Sequence, residues 1–223
     1  MDFQIVRADV SDAEAIAAVI QTCYEQMEHK EWYFPDNAEY MRWLLSSADE
    51  SDLCRKKPDI KNLIENEKKD EESDAEAVFW GTGRDGFGWN SIRGLAYKAL
   101  EAKSGTLAGI FTVAFPGDSP KSLGWDIGFD AARCRQTAHM DTAAVLPKYR
   151  GHQLQYHLMQ TAEQELRRMG FRYLAATVYP KNHASKNTML RQGYQVMITK
   201  EKYGGHLRDV MLKVLDIRSG RNG

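Results

Sequence analysis

The chain has 223 residues, 43% of them hydrophobic, with 10 Tyr, 8 Phe and 5 Trp, which excludes a wholly disordered polymer and fits one large domain, or a domain with an insertion, able to bury about 70% of its surface. No stretch approaches the ~20 consecutive apolar residues that span a bilayer, and the start MDFQIVRADVSDAE has neither the basic nor the apolar region of a secretory leader, so a cytoplasmic protein is expected. The formal net charge of −1 is a cancellation: residues 1–144 hold 16 Lys/Arg against 26 Asp/Glu, and residues 145–223 hold 14 against 5, so an anion site is sought in the basic third.

In chain order, Phe3 to Arg7 predicts a first strand, its alternation blurred by Val6. Ser11 and Glu14 have capping-box spacing, and Ile16, Val19, Ile20, Cys23 and Met27 repeat at three and four residues, the stripe of an amphipathic helix. A second helix is expected over Asn37 to Leu45. From Asp49 to Ala77, 17 of 29 residues are charged, which together with the Gly/Trp-rich stretch that follows predicts a charged insertion at about 49–95. Gly81, Gly83, Gly86 and Gly88 lack both the Walker lysine and the dinucleotide-binding spacing. Ala96 to Phe115 predicts a hairpin around KSGT, Trp125 to Phe129 a strand after a Gly/Pro/Ser loop, and His139 to Leu146 a further strand stopped by Pro147. Leu154, Leu158, Ala162, Leu166 and Met169 mark one face of a helix ended by Arg167, Arg168 and Gly170. Tyr173 to Tyr179 is apolar enough for a strand buried on both faces, a short helix is expected from about Ala184 to Gln192, and YQVMITKEKY with HLRDVMLKVL around Gly204-Gly205 predicts a closing hairpin. Cys23, Cys54 and Cys134 form neither a disulfide framework nor a ligand spacing, and no metal is expected.

The chemistry is carried by AAVLPKYRGHQLQYHLM, residues 143–159, a strand that enters a Pro-containing turn and then a long helix. The free N–H groups of a first helical turn and the positive end of the dipole make such a junction an anion site, with Arg150 at its mouth. Taken with Asn182, Ser185 and the Gly193-Tyr194 pair, these residues resemble the GNAT superfamily of acetyl-CoA-dependent N-acetyltransferases. The likeness covers residues 137–215 and is greatest to a prokaryotic-type subgroup of unknown acceptor, with an H-M-D-x-x-x-V strand, a YRG loop and a late Y-G-G turn.

That resemblance implies an α/β (α+β) fold: a mixed, mostly antiparallel central sheet with a splay between two parallel strands and helices on both faces. The chain is expected to form a single domain over 1–223 carrying the 49–95 insertion, a segment outside the resemblance. Ala144 and Val145 would pair with pantetheine through backbone groups, and Arg150, Gly151, His152, Gln153, Leu154, Gln155 and Tyr156 would cradle the pyrophosphate. Asn182 would stand beside the pantetheine arm, with Ser185 the small residue after it. The cosubstrate is acetyl-CoA and the acceptor a primary amine of a small molecule or peptide, attacked directly in a ternary complex; neither nucleic acid nor membrane is a partner, and a homodimer is an assembly to be tested. Two departures stand out. Gln153 and Gln155 occupy the places of the loop's Gly and Gly/Ala, and since a helical φ does not require glycine, Gln153 is expected to be helical with its side chain turned outward. Met189 occupies the place of the usual general acid; Tyr194 reads as core, leaving Tyr179 and Tyr203 as donors.

The attacking amine must be neutral, whereas alkyl amines have pKa near ~10. His139 and Asp141 lie six and four residues before Val145, on its face of the strand if alternation is unbroken. Resemblance makes His139 the base and Asp141 its partner or an anchor for the substrate ammonium. It builds the acceptor site from the N-terminal helices and the late hairpin, which brings in Tyr203, Arg208 and the YFPD segment; Asp36, Asp126, Asp130 and Asp141 are the acids that could attract a cationic amine. A different class, a non-catalytic acyl-CoA-binding sensor or partner module with the same fold, draws on Gln153, Gln155 and Met189. Nucleic-acid binding by the basic third lacks any recognition motif.

Overall fold

A computed structural model of the chain describes residues 1–46 and 93–215, the side chain of Arg93 excepted; most of the expected insertion lies outside the described residues, and its last three positions belong to a strand. The first strand, β1, is Phe3–Arg7. The capping box expected at Ser11 and Glu14 forms two residues earlier, between Asp9 and Asp12 around a short 3-10 turn. Helix α1, Ala13–Glu25, buries Ala13, Ile16, Val19, Ile20 and Cys23. Helix α2, Ala38–Ser46, buries Tyr40, Met41, Leu44 and Leu45. Asn37 begins α2, its Oδ1 accepting from the Tyr40 N–H at 2.8 Å.

Strands β2, Arg93–Glu101, and β3, Leu107–Phe115, form the expected hairpin. Where a strand was expected over Trp125 to Phe129, the chain makes two short helices instead, α3, Leu123–Asp126, and α4, Ala131–Arg135. Ser122 and Asp130 cap them, accepting from the Gly124 and Arg133 N–H groups. Gly128 turns the chain with a φ of +77°, which an extended run does not accommodate. Strand β4, Thr137–Val145, and helix α5, Leu154–Arg168, follow, then β5, Tyr173–Val178, α6, His183–Arg191, β6, Gln195–Lys202, and β7, His206–Val214.

The strands form one sheet in the order β1-β2-β3-β4-β5-β7-β6, antiparallel except for β4 with β5. On one face α5 lays Leu154, Leu158, Ala162 and Leu166 against Phe111, Val113, Leu174 and Met211. On the other, α1 and α2 cover Ala96, Ile110, Ala114 and Ala144, and α3 places Leu123 on Ala175 and Val210. Contact is closest at Gly94, where a Cβ would meet the Val113 carbonyl at 2.6 Å and run into Leu44 Cδ1. Among the described residues no helix is long and apolar enough to cross a membrane.

Two features of β4 set up the site. Its parallel pairing with β5 ends at His139 opposite Ala175, so the strands splay and leave the β5-facing edge of β4 unpaired from Met140 to Val145. On its other side the register with β3 slips: Phe111 pairs with Ala143 but Val113 with Met140, so that Asp141 and Thr142 share the space opposite Thr112, a β-bulge. Alternation is therefore broken, and His139 does not share the face of Val145. It pairs with Ala114 as Ala144 pairs with Ile110, both on the α1–α2 side, whereas Val145 packs with the α5 cluster.

Candidate active site

The mouth of the splay is closed by the turn between β4 and α5. Tyr149 is buried there and anchors the turn against the core. Arg150 donates from Nε to the Val145 carbonyl at 3.3 Å, and Gly151 adopts a φ of +83°. Gln153 begins α5 at φ 56 and ψ 25, left-handed rather than helical, and no side chain caps the helix. This overturns the expectation of a helical φ: here a non-glycine residue sustains a conformation costing roughly 1–2 kcal/mol. It also leaves the first-turn N–H groups of residues 154–156 without a side-chain acceptor, the condition for binding an anion. Leu154 turns its side chain into the core, so only its backbone faces the loop. His152 lies against the Phe3 ring, centroids 5.5 Å apart, and Tyr156 is exposed beside His157.

Across the groove, Asn182 caps α6, its Oδ1 accepting from the Ser185 N–H at 3.2 Å. Gln155 bridges the two helices, its Nε2 donating to Ser185 Oγ at 3.1 Å. The residues that sequence assigned to the cofactor loop and to the pantetheine arm are thus neighbours.

On the opposite side of the sheet, the α1–α2 loop, the β4 bulge and the β6–β7 turn enclose a polar cluster. Asp141 Oδ2 accepts from the Tyr40 hydroxyl at 3.3 Å. Burial lifts the Asp141 carboxyl from its ordinary 3.8 to about 6, with the Tyr40 hydroxyl pulling the other way. Thr142 Oγ1 accepts from Tyr33 at 3.2 Å and donates to Asp36 Oδ2 at 2.7 Å. Tyr203 sits in the β6–β7 turn at a φ of +56°, its hydroxyl 3.2 Å from Thr177 Oγ1 on β5; burial first, then Asp141 and Asp126, push it up to about 12 against the pull of Thr177 and Arg208. A non-glycine residue held left-handed in a polar cleft is the kind of strain that gathers at functional sites.

His139 occupies another part of this face. Its Nε2 accepts the Leu123 N–H at 2.9 Å, which places its own proton on Nδ1. Burial, followed by the Lys202 charge, lowers it to about 3, with Asp126 opposing, so at neutral pH the ring is uncharged and one nitrogen is already engaged.

The acetyltransferase (GNAT) family matches residues 60–194, more than half of the chain. The chain belongs to the GNAT acetyltransferase family. Solved structures share its fold. A GNAT-family acetyltransferase of Streptococcus pneumoniae superposes with a TM-score of 0.58 at 16% identity, covering 96% of this chain and 100% of that one. The structure of yncA from Salmonella typhimurium with its cofactor acetyl-CoA gives 0.57 at 17% identity, covering 99% and 98%. The ribosomal-protein-S18-alanine N-acetyltransferase of Escherichia coli gives 0.55 at 14%, covering 100% and 99%. No curated protein matches the sequence.

Within this GNAT fold several expected residues take other duties. Asp126 is ion-paired with Lys200 at 2.8 Å and with Lys202, and Asp130 is spent on the α4 cap. Arg208 is buried among the rings of Phe34, Tyr179 and Tyr203 and donates to the Leu207 and Glu31 carbonyls. Met189 and Tyr194 are core. Tyr40 and Thr142 were not singled out from sequence. The available signal was the spacing of Tyr33, Asp36 and Tyr40 around an Asn that already serves as helix cap.

Proposed function

We propose that the chain transfers an acetyl group from acetyl-CoA to a primary amine of a small molecule or peptide, by direct attack in a ternary complex. What supports this reading is the splay of β4 from β5 with uncapped first-turn N–H groups at one end and a buried carboxylate cluster on the opposite face. In it, the N–H groups of residues 151–156 and Arg150 hold the pyrophosphate, the open edge of β4 at Ala144 and Val145 pairs with pantetheine, and Asn182 with Ser185 borders the arm. Gln155 must release Ser185 for the arm to lie between α5 and α6. Asp141 takes the proton of the amine, being ionised at neutral pH and free of any cation among the described residues; His139, already accepting the Leu123 N–H, positions α3 on the sheet. Tyr203 returns a proton to the leaving thiolate. Most of the rate comes from alignment and from backbone N–H groups at the developing oxyanion.

The reading extends to one domain over residues 1–223, with the segment before Arg93 an insertion, working in the cytoplasm. A homodimer is supported by the edge strand β6, which exposes Val196, Met197 and Ile198; sedimentation tests it. For the activity itself, calorimetry with CoA and free-thiol release from acetyl-CoA with a panel of amines decide. The left-handed Gln153 and the Gln155–Ser185 bridge favour the second reading, an acyl-CoA-binding module without catalysis, which binds CoA and releases no thiol with any amine.

A further inference from the structure

Asp36 stands on the loop between α1 and α2 and is 4% exposed. Its Oδ2 is satisfied by Thr142, but its Oδ1 is buried and meets no donor. Capping does not explain it, since Asn37 fills that role for α2. Burial and the charge of Asp141 both push its carboxyl well above the usual range, against the Thr142 and Tyr33 hydroxyls. Among the described residues neither Asp36 nor Asp141 meets a Lys, Arg or His, while Asp126 nearby holds two lysines. Two buried carboxylates without a cation are expensive, and an apolar pair would serve the core better. The cluster lacks one thing: a cation that carries N–H donors.

Resting on the acetyltransferase reading above, we propose that Asp36 and Asp141 form a single ammonium subsite for the acceptor, whose –NH3+ donates to Asp36 Oδ1 and to Asp141, and that this acceptor is a primary alkylamine with no carboxylate beside its nitrogen. Burial and the charge of Asp141 hold Asp36 protonated while Asp141 is ionised at neutral pH, so the empty pair carries one negative charge and matches one ammonium. A carboxylate adjacent to the nitrogen would be driven against that charge in a site with little water to screen it. The bound ammonium gives one proton to the pair, leaving the pair neutral and the nitrogen with a lone pair. The C–N bond forms as the C–S bond breaks, the thiolate sulfur takes the Tyr203 proton and the second nitrogen-bound proton replaces it on the Tyr203 oxygen, and the pair releases its proton to solvent with the amide.

The test uses CoA, acetyl-CoA and n-butylamine with the full chain. Calorimetry of the CoA complex is expected to show binding of n-butylammonium and none of butan-1-ol. In thiol release, n-butylamine is expected to exceed 2-aminobutyrate in kcat/KM by at least about 10-fold, the effect of one unmatched charge. Asp36→Asn is expected to leave CoA affinity unchanged and to raise KM for n-butylamine about 10–100-fold, the worth of one hydrogen bond to a charged group, with kcat changing less. Thr142→Val, which keeps the volume and removes the hydroxyl that orients Asp36, is expected to raise the same KM several-fold and provides the reading if Asp36→Asn does not fold. A wild-type CoA complex that ignores n-butylammonium, or variants with unchanged KM, overturns the subsite while leaving CoA binding intact; failure of the wild type to bind CoA defeats the acetyltransferase reading itself.

Discussion

Replacing Asp141 with Asn separates stability from activity. The folded chain holds the Asp141 carboxyl at about 6 against an ordinary 3.8, so between those pH values the native state binds the proton more tightly than the unfolded chain does. Stability attributable to this group is therefore highest below pH 3.8, falls as pH rises through the window, and stays low above about 6. The difference corresponds to about 3 kcal/mol at pH 7.5 and about 1 kcal/mol at pH 4.5. An Asn accepts from Tyr40 as the carboxylate does but carries no charge to bury. For a domain of this size 1 kcal/mol moves Tm by about 2–4 °C, so Asp141→Asn is expected to raise Tm by about 6–12 °C at pH 7.5 and by roughly a third of that at pH 4.5. The same variant should lose about 10²–10⁴-fold in kcat/KM, the usual contribution of a positioned general base. Thermal unfolding followed by circular dichroism at the two pH values checks the first expectation and thiol release the second. A Tm gain that does not depend on pH, or no gain at pH 7.5, would show that the carboxylate is not held ionised in a buried site.

Other expectations follow from single contacts. His139→Gln keeps an acceptor for the Leu123 N–H and should leave the pH profile of kcat/KM in place; a shifted profile returns the role of base to His139. Tyr203→Phe removes the hydroxyl beside Thr177 and should lower kcat about 100-fold with CoA affinity retained, read by pre-steady-state thiol release and calorimetry. Gln153→Gly relieves roughly 1–2 kcal/mol of left-handed strain against about 0.4–1 kcal/mol of added chain freedom, so Tm should hold or rise, and CoA affinity should increase as the loop backbone becomes more accessible; weaker CoA binding would mean that the Gln153 side chain itself touches the cofactor. Gly94→Ala sets a methyl against Leu44 and the Val113 carbonyl and should cost about 1–3 kcal/mol in urea unfolding.

What could be read in the sequence was whatever a local period or a fixed motif encodes. Leu154, Leu158, Ala162 and Leu166 repeat along one helix face and do pack into one cluster, and the YRG turn lies where a strand meets a helix. The strand expected at Trp125 failed because short caps at Ser122 and Asp130 outweigh a weak apolar alternation. Gln153 departs from the expected helical conformation for a different reason. Its φ is imposed by the reversal from the Gly151 turn into α5, a demand of the path rather than of the residue. The charge count pointed to four acids for the cleft, and the structure separates them by what each already holds: lysines for Asp126, a helix end for Asp130, no cation among the described residues for Asp36 and Asp141.

The bulge in β4 had no signal in its own strand, because it exists only in the pairing with β3. Counting by twos along an ideal strand places His139 and Asp141 on the face of Val145 and sends Thr142 to the opposite side. With two residues opposite Thr112, neighbours in sequence reach the same side of the sheet: Asp141 meets Tyr40 of α2 and Thr142 meets Tyr33 and Asp36 of the loop before it. A regularly alternating strand can offer a carboxylate or a hydroxyl to that loop, but not both from adjacent positions. The bulge thus lets Thr142 orient Asp36 while Asp141 remains directed into the same cluster, and a variant that restored regular pairing there would separate the two carboxylates without changing either one.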